Sequence, residues 1–180
     1  QAGELKIPAM QVGINVEAQK DGFWEATRGM GNYAMTANTY ARYGFAFNDL
    51  TIPFVEGYYK RFGEVPAYTA DTYGGIVYGI VPTVEAIGTL NSDKFVEYLE
   101  NLTFKVPGGT VRWAKDNIGR HLHDLTFGPG YSTGMYTQWQ DGKQVAVWPN
   151  GWKPAPGVEV TYKGMQPIKI PPWMMSYYKK

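Results

Sequence analysis

Three consecutive helical patterns between residues 51 and 102, with strand-like segments on both sides, constrain the fold more than any other feature of this sequence. The first pattern begins at Thr51 and Pro53, two residue types that suit the start of a helix. Apolar residues then recur at spacings of three and four until Gly63, a residue that commonly ends helices. The pattern predicts an amphipathic helix.

The other two helical patterns follow directly. The segment from Tyr68 to about Ile87 carries a broad apolar stripe, which predicts a buried helix, and Pro82 is expected to kink it. The residues Ser92 and Asp93 then predict the cap of a third helix, which ends near Leu102 with its apolar side facing inward.

Strand patterns occupy both flanks of this helical block. The apolar run from Leu5 to Ile14 predicts a buried strand, and residues 33–40 predict a second. Alternating segments flank Asp141-Gly142 and predict a β-hairpin, and another alternation surrounds residues 107–109. Six of the twelve prolines fall in residues 149–180, so this tail is expected to be extended over the surface.

Composition excludes several classes of function. The chain has 180 residues, 44% of them hydrophobic, with 17 Lys+Arg against 16 Asp+Glu, so it is expected to fold as about one globular domain. A net charge of +1 offers no field for nucleic acid or an anionic membrane surface. No cysteine is present, and no nucleophile elbow, phosphate loop or dinucleotide motif is found. The prediction is therefore a protein with no catalytic residues, no metal and no cofactor, and an enzyme built on a carboxylate pair is the least favoured hypothesis.

Five short motifs carry a more specific signal. They are Phe54–Pro66, Ala70–Tyr73, Glu85–Asp93, Phe104–Val111 and Gln144–Pro149. In content and order they resemble stretches of the type I periplasmic solute-binding proteins of branched-chain amino acid transporters, and the resemblance covers residues 1 to about 150. Each motif alone is weak evidence, and their common order makes the resemblance more specific.

The resemblance implies an α/β fold: the C-terminal portion of a two-lobed type I periplasmic-binding-protein fold, with a C-terminal β-hairpin. It assigns residues 1–44 to second-lobe strands and a first hinge crossing, and residues 45–128 to the helical part of the first lobe. Residues 129–150 would form the hairpin that returns to the second lobe, and residues 151–180 the extended Pro-rich tail. The N-terminal half of the same protein is then an expected partner. The chain alone is expected to bind ligand weakly or not at all, and to be able to form a homodimer.

The same resemblance implies the extracytoplasmic substrate-binding component of an ABC importer. Its solute would be a branched-chain amino acid, an amide or a small aromatic carboxylate, and its partner the ABC permease of the inner membrane. The expected location is periplasmic or extracellular, with a possible lipid anchor through the N-terminal part. A sensory or regulatory ligand-binding domain of the same fold is the alternative, and a transmembrane or signalling segment in the full gene would separate the two.

Candidate ligand-binding residues also come from this resemblance. Tyr68 matches the position of an aromatic wall for the ligand; the alternative is a tyrosine that seals the start of a helix. The loop after the first strand offers Gly13, Asn15 and Glu17. Gly13 stands about where amino-acid-binding members have a carboxylate, so Glu17 is either a later ammonium partner or a solvated loop acid.

Two further pairs of residues are candidates for a site. Tyr40 and Tyr43 lie in the expected crossover, where they either reach the cleft or only pack between lobes. His121 and His123 form a His-x-His pair suited to zinc, but without an evident third ligand they are better explained as surface or hinge histidines.

Overall fold

The computed structural model describes residues 1–41 and 44–179, with the backbone alone at residues 71 and 72, and its architecture is mixed α/β. The strands in chain order are β1 (Val12–Gly13), β2 (Met35–Asn38), β3 (Thr103–Val106), β4 (Gly109–Lys115), β5 (His121–Leu125), β6 (Met135–Gln140), β7 (Lys143–Trp148), β8 (Trp152–Ala155) and β9 (Val158–Val160). The α-helices are α1 (Phe23–Ala26), α2 (Thr51–Phe62), α3 (Ala70–Gly75), α4 (Val81–Ile87), α5 (Ser92–Asn101) and α6 (Pro172–Tyr178). A 3₁₀ turn spans Glu17–Gln19, and a π-helical segment spans Ile76–Ile80.

The central sheet has the strand order β1-β2-β6-β7. The pair β1 and β2 is parallel, whereas β6 runs antiparallel to both β2 and β7. Between β6 and β7, Asp141 and Gly142 have φ angles of 53° and 84°, as a two-residue hairpin turn with two positive φ angles requires. The predicted hairpin is therefore confirmed. The core against this hairpin contains Ala41, Phe45, Met135 and Ala146.

The predicted buried strand at the N-terminus is wrong in length and in burial. Only Val12 and Gly13 pair with a neighbouring strand, and Val12 is 56% exposed. Pro8 has no N–H to contribute to a ladder, and residues 1–10 form turns and bends. The second predicted strand, by contrast, is present in its central part as β2.

Helix α2 is confirmed, and Gly63 follows it in the left-handed conformation with φ 76°. Thr51 has a different role from the predicted cap, since no side chain caps this helix. Its hydroxyl is fully buried, accepts hydrogen bonds from the backbone N–H groups of Phe47 and Asn48 (3.0 and 3.1 Å), and donates to the carbonyl of Pro107 (2.7 Å). It ties the start of α2 to the turn between β3 and β4.

The second helical region is continuous from α3 through the π-helical segment to α4. The π segment ends just before Pro82, where the missing N–H disfavours regular α-helical pairing. Gly79 lies against Phe104 of β3, so closely that a Cβ would come within 2.6 Å of the ring. The prediction that this helix is buried is wrong, because β3 covers only one side and Tyr73 and Val77 are 71% and 58% exposed.

Helix α5 is also confirmed, although its cap is the residue before the predicted pair. Asn91 adopts an extended conformation, and its Oδ1 accepts a hydrogen bond from the N–H of Lys94 (3.1 Å). The apolar side of this helix is only partly covered, since Val96 is 44% exposed. After α5 the chain forms the antiparallel sheet β3-β4-β5, which includes the alternation predicted around residues 107–109.

The tail is not extended throughout, contrary to the prediction. Strands β8 and β9 form a hairpin, and α6 follows near the end. The segment between them binds the central sheet through amides: Gln138 accepts from the N–H of Lys169 (2.9 Å) and donates to its carbonyl (2.8 Å). The Nε2 of Gln140 donates to the carbonyl of Pro167 (2.8 Å). The buried side-chain amides of Gln138 and Gln140 thus bind the backbone of the tail in the way that the backbone of a neighbouring strand would.

Candidate functional site

A cavity of about 450 Å³ lies at one edge of the central sheet. Strands β1 and β2 end at this edge; β6, which is antiparallel to β2, begins there, and β7 returns to it at its last residue. The volume lies in the range of small-molecule sites. Apart from Tyr68, its apolar and aromatic lining consists of Ile14, Val16, Ala37, Met135, Tyr136 and Trp148.

The polar part of the lining is neutral. It consists of Gln19, Asn38, Thr39 and Thr133. The amide of Asn38 is already engaged, because its Oδ1 accepts from the N–H of Thr39 (2.8 Å) and its Nδ2 donates to Gln144 (3.3 Å). Within residues 1–41 and 44–179, no residue that lines the cavity carries a formal charge at neutral pH.

Gln19 differs from the other polar residues of the lining. It is 7% exposed, and its Nε2 donates a 2.7 Å hydrogen bond to the carbonyl of Ala37, which fixes the orientation of the amide. Its Oε1 is buried and has no hydrogen-bond partner among the described residues. An unpaired buried acceptor costs about 1–3 kcal/mol, and because this oxygen is enclosed by protein it is not accessible from the cavity.

Tyr68 reaches the cavity from the segment between α2 and α3. It is 46% exposed, so its ring is available to a ligand. On the sheet side, Trp148 packs edge-on against Tyr136, with ring centroids 6.2 Å apart. Of the five residues predicted from the sequence, Tyr68 is the one that the structure brings to the lining.

The predicted loop residues lie beside the cavity and have other contacts. Gly13 ends β1. The backbone of Asn15 exchanges two hydrogen bonds with the hydroxyl of Thr36 (3.0 Å each), and its Oδ1 accepts from the N–H of Ala18 (3.3 Å). Asn15 therefore shapes the loop. The carboxylate of Glu17 is 72% exposed and pairs with Lys20 at 2.8 Å, which is the solvated alternative.

Tyr40 is fully buried, and its ring lies 5.3 Å from that of Phe54. It packs the crossover instead of facing the cavity. Tyr43 lies outside the described residues.

The two histidines meet an acid that the sequence did not reveal. His123 Nε2 lies 3.3 Å from Oε1 of Glu100 on α5, and His121 Nε2 lies 4.0 Å from its Oε2. In the described part of the chain, no group of three or more His, Cys, Asp or Glu side chains is arranged to hold a metal ion. The three residues form a polar cluster between α5 and β5.

The carboxyl groups with a lowered pKa do not line the cavity. Hydrogen bonds from Lys105, Arg120 and Lys169 are the largest cause that lowers the pKa of the carboxyls of Asp49, Asp116 and Asp141, respectively. The pairs of Asp49 and Asp141 are exposed, and Asp116, 16% exposed, pairs with the exposed Arg120, so all three are ordinary surface ion pairs and not an acid–base site.

A second groove, of about 570 Å³, lies on α4 and α5, where Ile87, Lys94 and Tyr98 contribute to its lining. None of its described lining residues has a buried polar atom without a partner, and no strand of the central sheet ends there. We therefore place the candidate site at the edge of the central sheet.

The sequence reasoning missed Gln19, Asn38 and Trp148. The last two stand at the ends of β2 and β7, and ligands in open α/β folds bind at the ends of strands, so a correct strand assignment would have found them. Gln19 had no comparable signal, because its importance depends on the fold around it.

Comparison with known proteins supports the fold. Neither a protein-family model nor a curated protein matches this chain. A solved structure, the leucine-binding protein LivK of Thermotoga maritima, is similar, with a TM-score of 0.53 and 18% sequence identity over 81% of this chain and 38% of that one.

This similarity defines a class of fold, namely α/β and like part of a two-lobed type I periplasmic binding protein. The fold class predicted from the sequence is thus confirmed. The chain spans 38% of the length of the leucine-binding protein it resembles. In the described residues, no helix is both long and apolar enough to cross a membrane.

Proposed function

We propose that this chain supplies part of the solute-binding cleft of an extracytoplasmic substrate-binding protein of an ABC importer. The observation that carries the proposal is the cavity where β1, β2, β6 and β7 meet, with Tyr68 facing it from the helical region. Apolar and aromatic walls with a few oriented polar groups are typical of small-molecule sites.

The fold supports the same proposal. The likeness to a leucine-binding protein concerns the fold alone, and the binding role comes to this chain as an inference from its cavity. The solute is a small molecule with an apolar or aromatic portion that packs between Tyr68 and Trp148. Such a protein would work in the periplasm or outside the cell and deliver its solute to a permease.

The lobes can be assigned on the same basis. Residues 1–44 and 129–150 would belong to one lobe, because the central sheet takes its strands from those two ranges. Residues 45–128, with α2 to α5 and the sheet β3-β4-β5, would belong to the other. Tyr68 would then meet the solute from the opposite lobe, and closure of the lobes would bury it.

The test is ligand binding by the chain and by a variant of Tyr68. A panel of branched-chain amino acids, small amides and aromatic carboxylates is screened by thermal shift, and dissociation constants are measured for the compounds that stabilise the chain. Tyr68→Ala should weaken binding about 5- to 30-fold, because one aromatic wall is lost. Tyr178→Ala is the matched control, since Tyr178 is 67% exposed on α6.

Saturable binding that Tyr68→Ala weakens and Tyr178→Ala leaves unchanged supports the proposal. Binding that Tyr68→Ala leaves unchanged, or that Tyr178→Ala weakens equally, contradicts it.

A further inference from the structure

Asn150 and Gly151 form an exposed corner between β7 and β8. The N–H of Trp152 donates to the carbonyl of Pro149 (3.0 Å), so the two residues are the central pair of a β-turn. Gly151 has a φ of 71°, which glycine adopts without strain. Of the eight asparagines in the sequence, Asn150 is the only one that a glycine follows. The corner thus places an exposed side-chain amide beside a backbone nitrogen that no Cβ shields.

This pair of groups can react without a catalyst. The backbone nitrogen of Gly151 attacks the side-chain Cγ of Asn150, and the new N–Cγ bond closes a five-membered succinimide. The Cγ–Nδ2 bond breaks, and ammonia leaves with the proton that the backbone nitrogen gives up. Water then opens the ring. Addition at Cγ gives aspartate, and addition at the main-chain carbonyl carbon gives isoaspartate, in which the main chain runs through the side-chain CH₂.

The other asparagines are less suited to this reaction. Asn91, which a serine follows, is the nearest competitor. Its Oδ1 accepts a hydrogen bond from the N–H of Lys94 (3.1 Å), and Ser92 is the first residue of α5. Ring closure there would break the cap and the first turn of the helix. The remaining asparagines precede residues whose larger side chains hinder the attack, so Asn150 should react first.

One hydrogen bond opposes the reaction at Asn150. The N–H of Gly151 donates to Oγ1 of Thr161 (3.1 Å), and this nitrogen must lose its proton to attack. Gly151 and Thr161 are both exposed, so water competes for the bond, which slows the reaction without preventing it.

The same corner joins two aromatic rings. Trp148 ends β7 and Trp152 begins β8, and their ring centroids lie 5.4 Å apart. Isoaspartate would add one atom to the main chain between them, and either product would add a negative charge, because the pKa of such a carboxyl is ordinarily about 4. Since Trp148 also lines the cavity, a covalent change at Asn150 would reach the cavity wall.

We propose that Asn150 is a site of spontaneous deamidation, that the hydrogen bond to Thr161 restrains the reaction, and that the isoaspartate product loosens the packing of Trp152 on Trp148. This inference does not depend on the proposed solute-binding function.

Peptide mapping by mass spectrometry tests the site and the restraint. The 180-residue chain is incubated at mildly alkaline pH, and conversion is followed at each asparagine. Asn150 should convert at least about tenfold faster than Asn91, because no Cβ hinders the attacking nitrogen. Thr161→Val keeps the volume and removes the acceptor, so it should raise the rate at Asn150 about 2- to 10-fold. Equal rates at the two asparagines, or no acceleration in Thr161→Val, overturn the proposal.

Near-ultraviolet circular dichroism tests the effect on the rings. The isoaspartate form is isolated by ion-exchange chromatography, and Asn150→Asp is the matched control, since it carries the same charge on a normal main chain. The isoaspartate form should lose most of the signal that Trp152→Phe removes from the unaltered chain, whereas Asn150→Asp should keep it. Identical spectra of the isoaspartate form and Asn150→Asp overturn the loosening of the pair. This comparison decides the question even if Trp152→Phe does not fold.

Discussion

The hydroxyl of Thr51 donates a 2.7 Å hydrogen bond to the carbonyl oxygen of Pro107, which joins the first turn of α2 to the turn between β3 and β4. The same oxygen of Thr51 accepts hydrogen bonds from two backbone N–H groups of the preceding connector. One buried side chain therefore provides hydrogen-bond partners for three backbone groups that lie outside the helices and strands. These contacts hold the start of α2 against the connector that follows β2 and against the turn between β3 and β4.

Removing this hydroxyl should destabilise the fold strongly. Thr51→Val keeps the volume and leaves the three backbone groups without a partner, so the free energy of unfolding should fall by about 2–4 kcal/mol. Urea unfolding followed by circular dichroism measures it. Thr51→Ser, which keeps the hydroxyl, should lose less than half as much. An equal loss in both variants would show that packing of the methyl group matters instead.

Gly79 and Gly75 provide an opposed pair of substitutions in one helical region. A Cβ at Gly79 would meet the ring of Phe104 at 2.6 Å, so Gly79→Ala should cost about 1–2 kcal/mol of unfolding free energy. Gly75 is helical with φ −58° and has open space at its Cβ position, so Gly75→Ala should gain about 0.5–1 kcal/mol. Thermal unfolding of both variants checks the signs. If both substitutions stabilise the chain, Phe104 does not pack against this helix as described.

The cap of α5 is Asn91 and not the serine that follows it. Asn91→Ala removes the acceptor for the N–H of Lys94 and should cost about 1 kcal/mol. Ser92→Ala should change the stability by less than about 0.5 kcal/mol, since Ser92 is the first residue inside the helix. Chemical denaturation of the two variants distinguishes them, and a larger loss at Ser92 would contradict the assignment.

The turn of the β6–β7 hairpin should make a small contribution to the pH dependence of stability. The pKa of Asp141 is lowered from 3.8, first by the hydrogen bond from Lys169 at 2.6 Å and then by that from Asn32. A lowered pKa in the folded state stabilises the fold above the unfolded-state pKa, near 4, and this contribution disappears as the pH falls through the folded-state value.

The difference in stability between the unaltered chain and Asp141→Asn should therefore be present at pH 6 and shrink towards pH 2. Asparagine suits this position of the turn equally well, so the variant should keep the turn conformation. Denaturation at a series of pH values gives the difference, and proton NMR of Lys169→Met should show the pKa of Asp141 returning towards 3.8. A difference that grows on acidification would reverse the assigned sign.

Local chemistry made some elements predictable. Three predicted elements are present whose conformation is determined by residues adjacent in sequence. They are the Asp141-Gly142 turn, the helix that ends at Gly63 and the strands around residues 107–109. The prediction of a buried strand at residues 5–14 was wrong, because apolar residues become buried only where another layer of the fold covers them. Val12 pairs at the edge of the sheet and Tyr73 lies on an uncovered helix side, so both are exposed.

The site was less predictable than the fold. Tyr68 lies at the cavity, and only the resemblance to a family with a ligand cleft singled it out in the sequence. The place of Gln19 in the cavity lining depends on a hydrogen bond to Ala37, eighteen residues away, and on its burial by the surrounding fold. No local pattern encodes either fact. For Glu17 the sequence left an ammonium partner and a solvated loop acid as alternatives, and in the structure its exposed carboxylate pairs with Lys20.

The most direct test is to map where a solute binds on the chain. Two-dimensional amide NMR spectra are recorded while benzamide and leucine are titrated separately into the isotope-labelled protein. The account predicts that saturable shifts are concentrated in residues 14–19, 37–39 and 133–136. Saturable shifts confined to α4 and α5 would contradict a solute site at the edge of the central sheet.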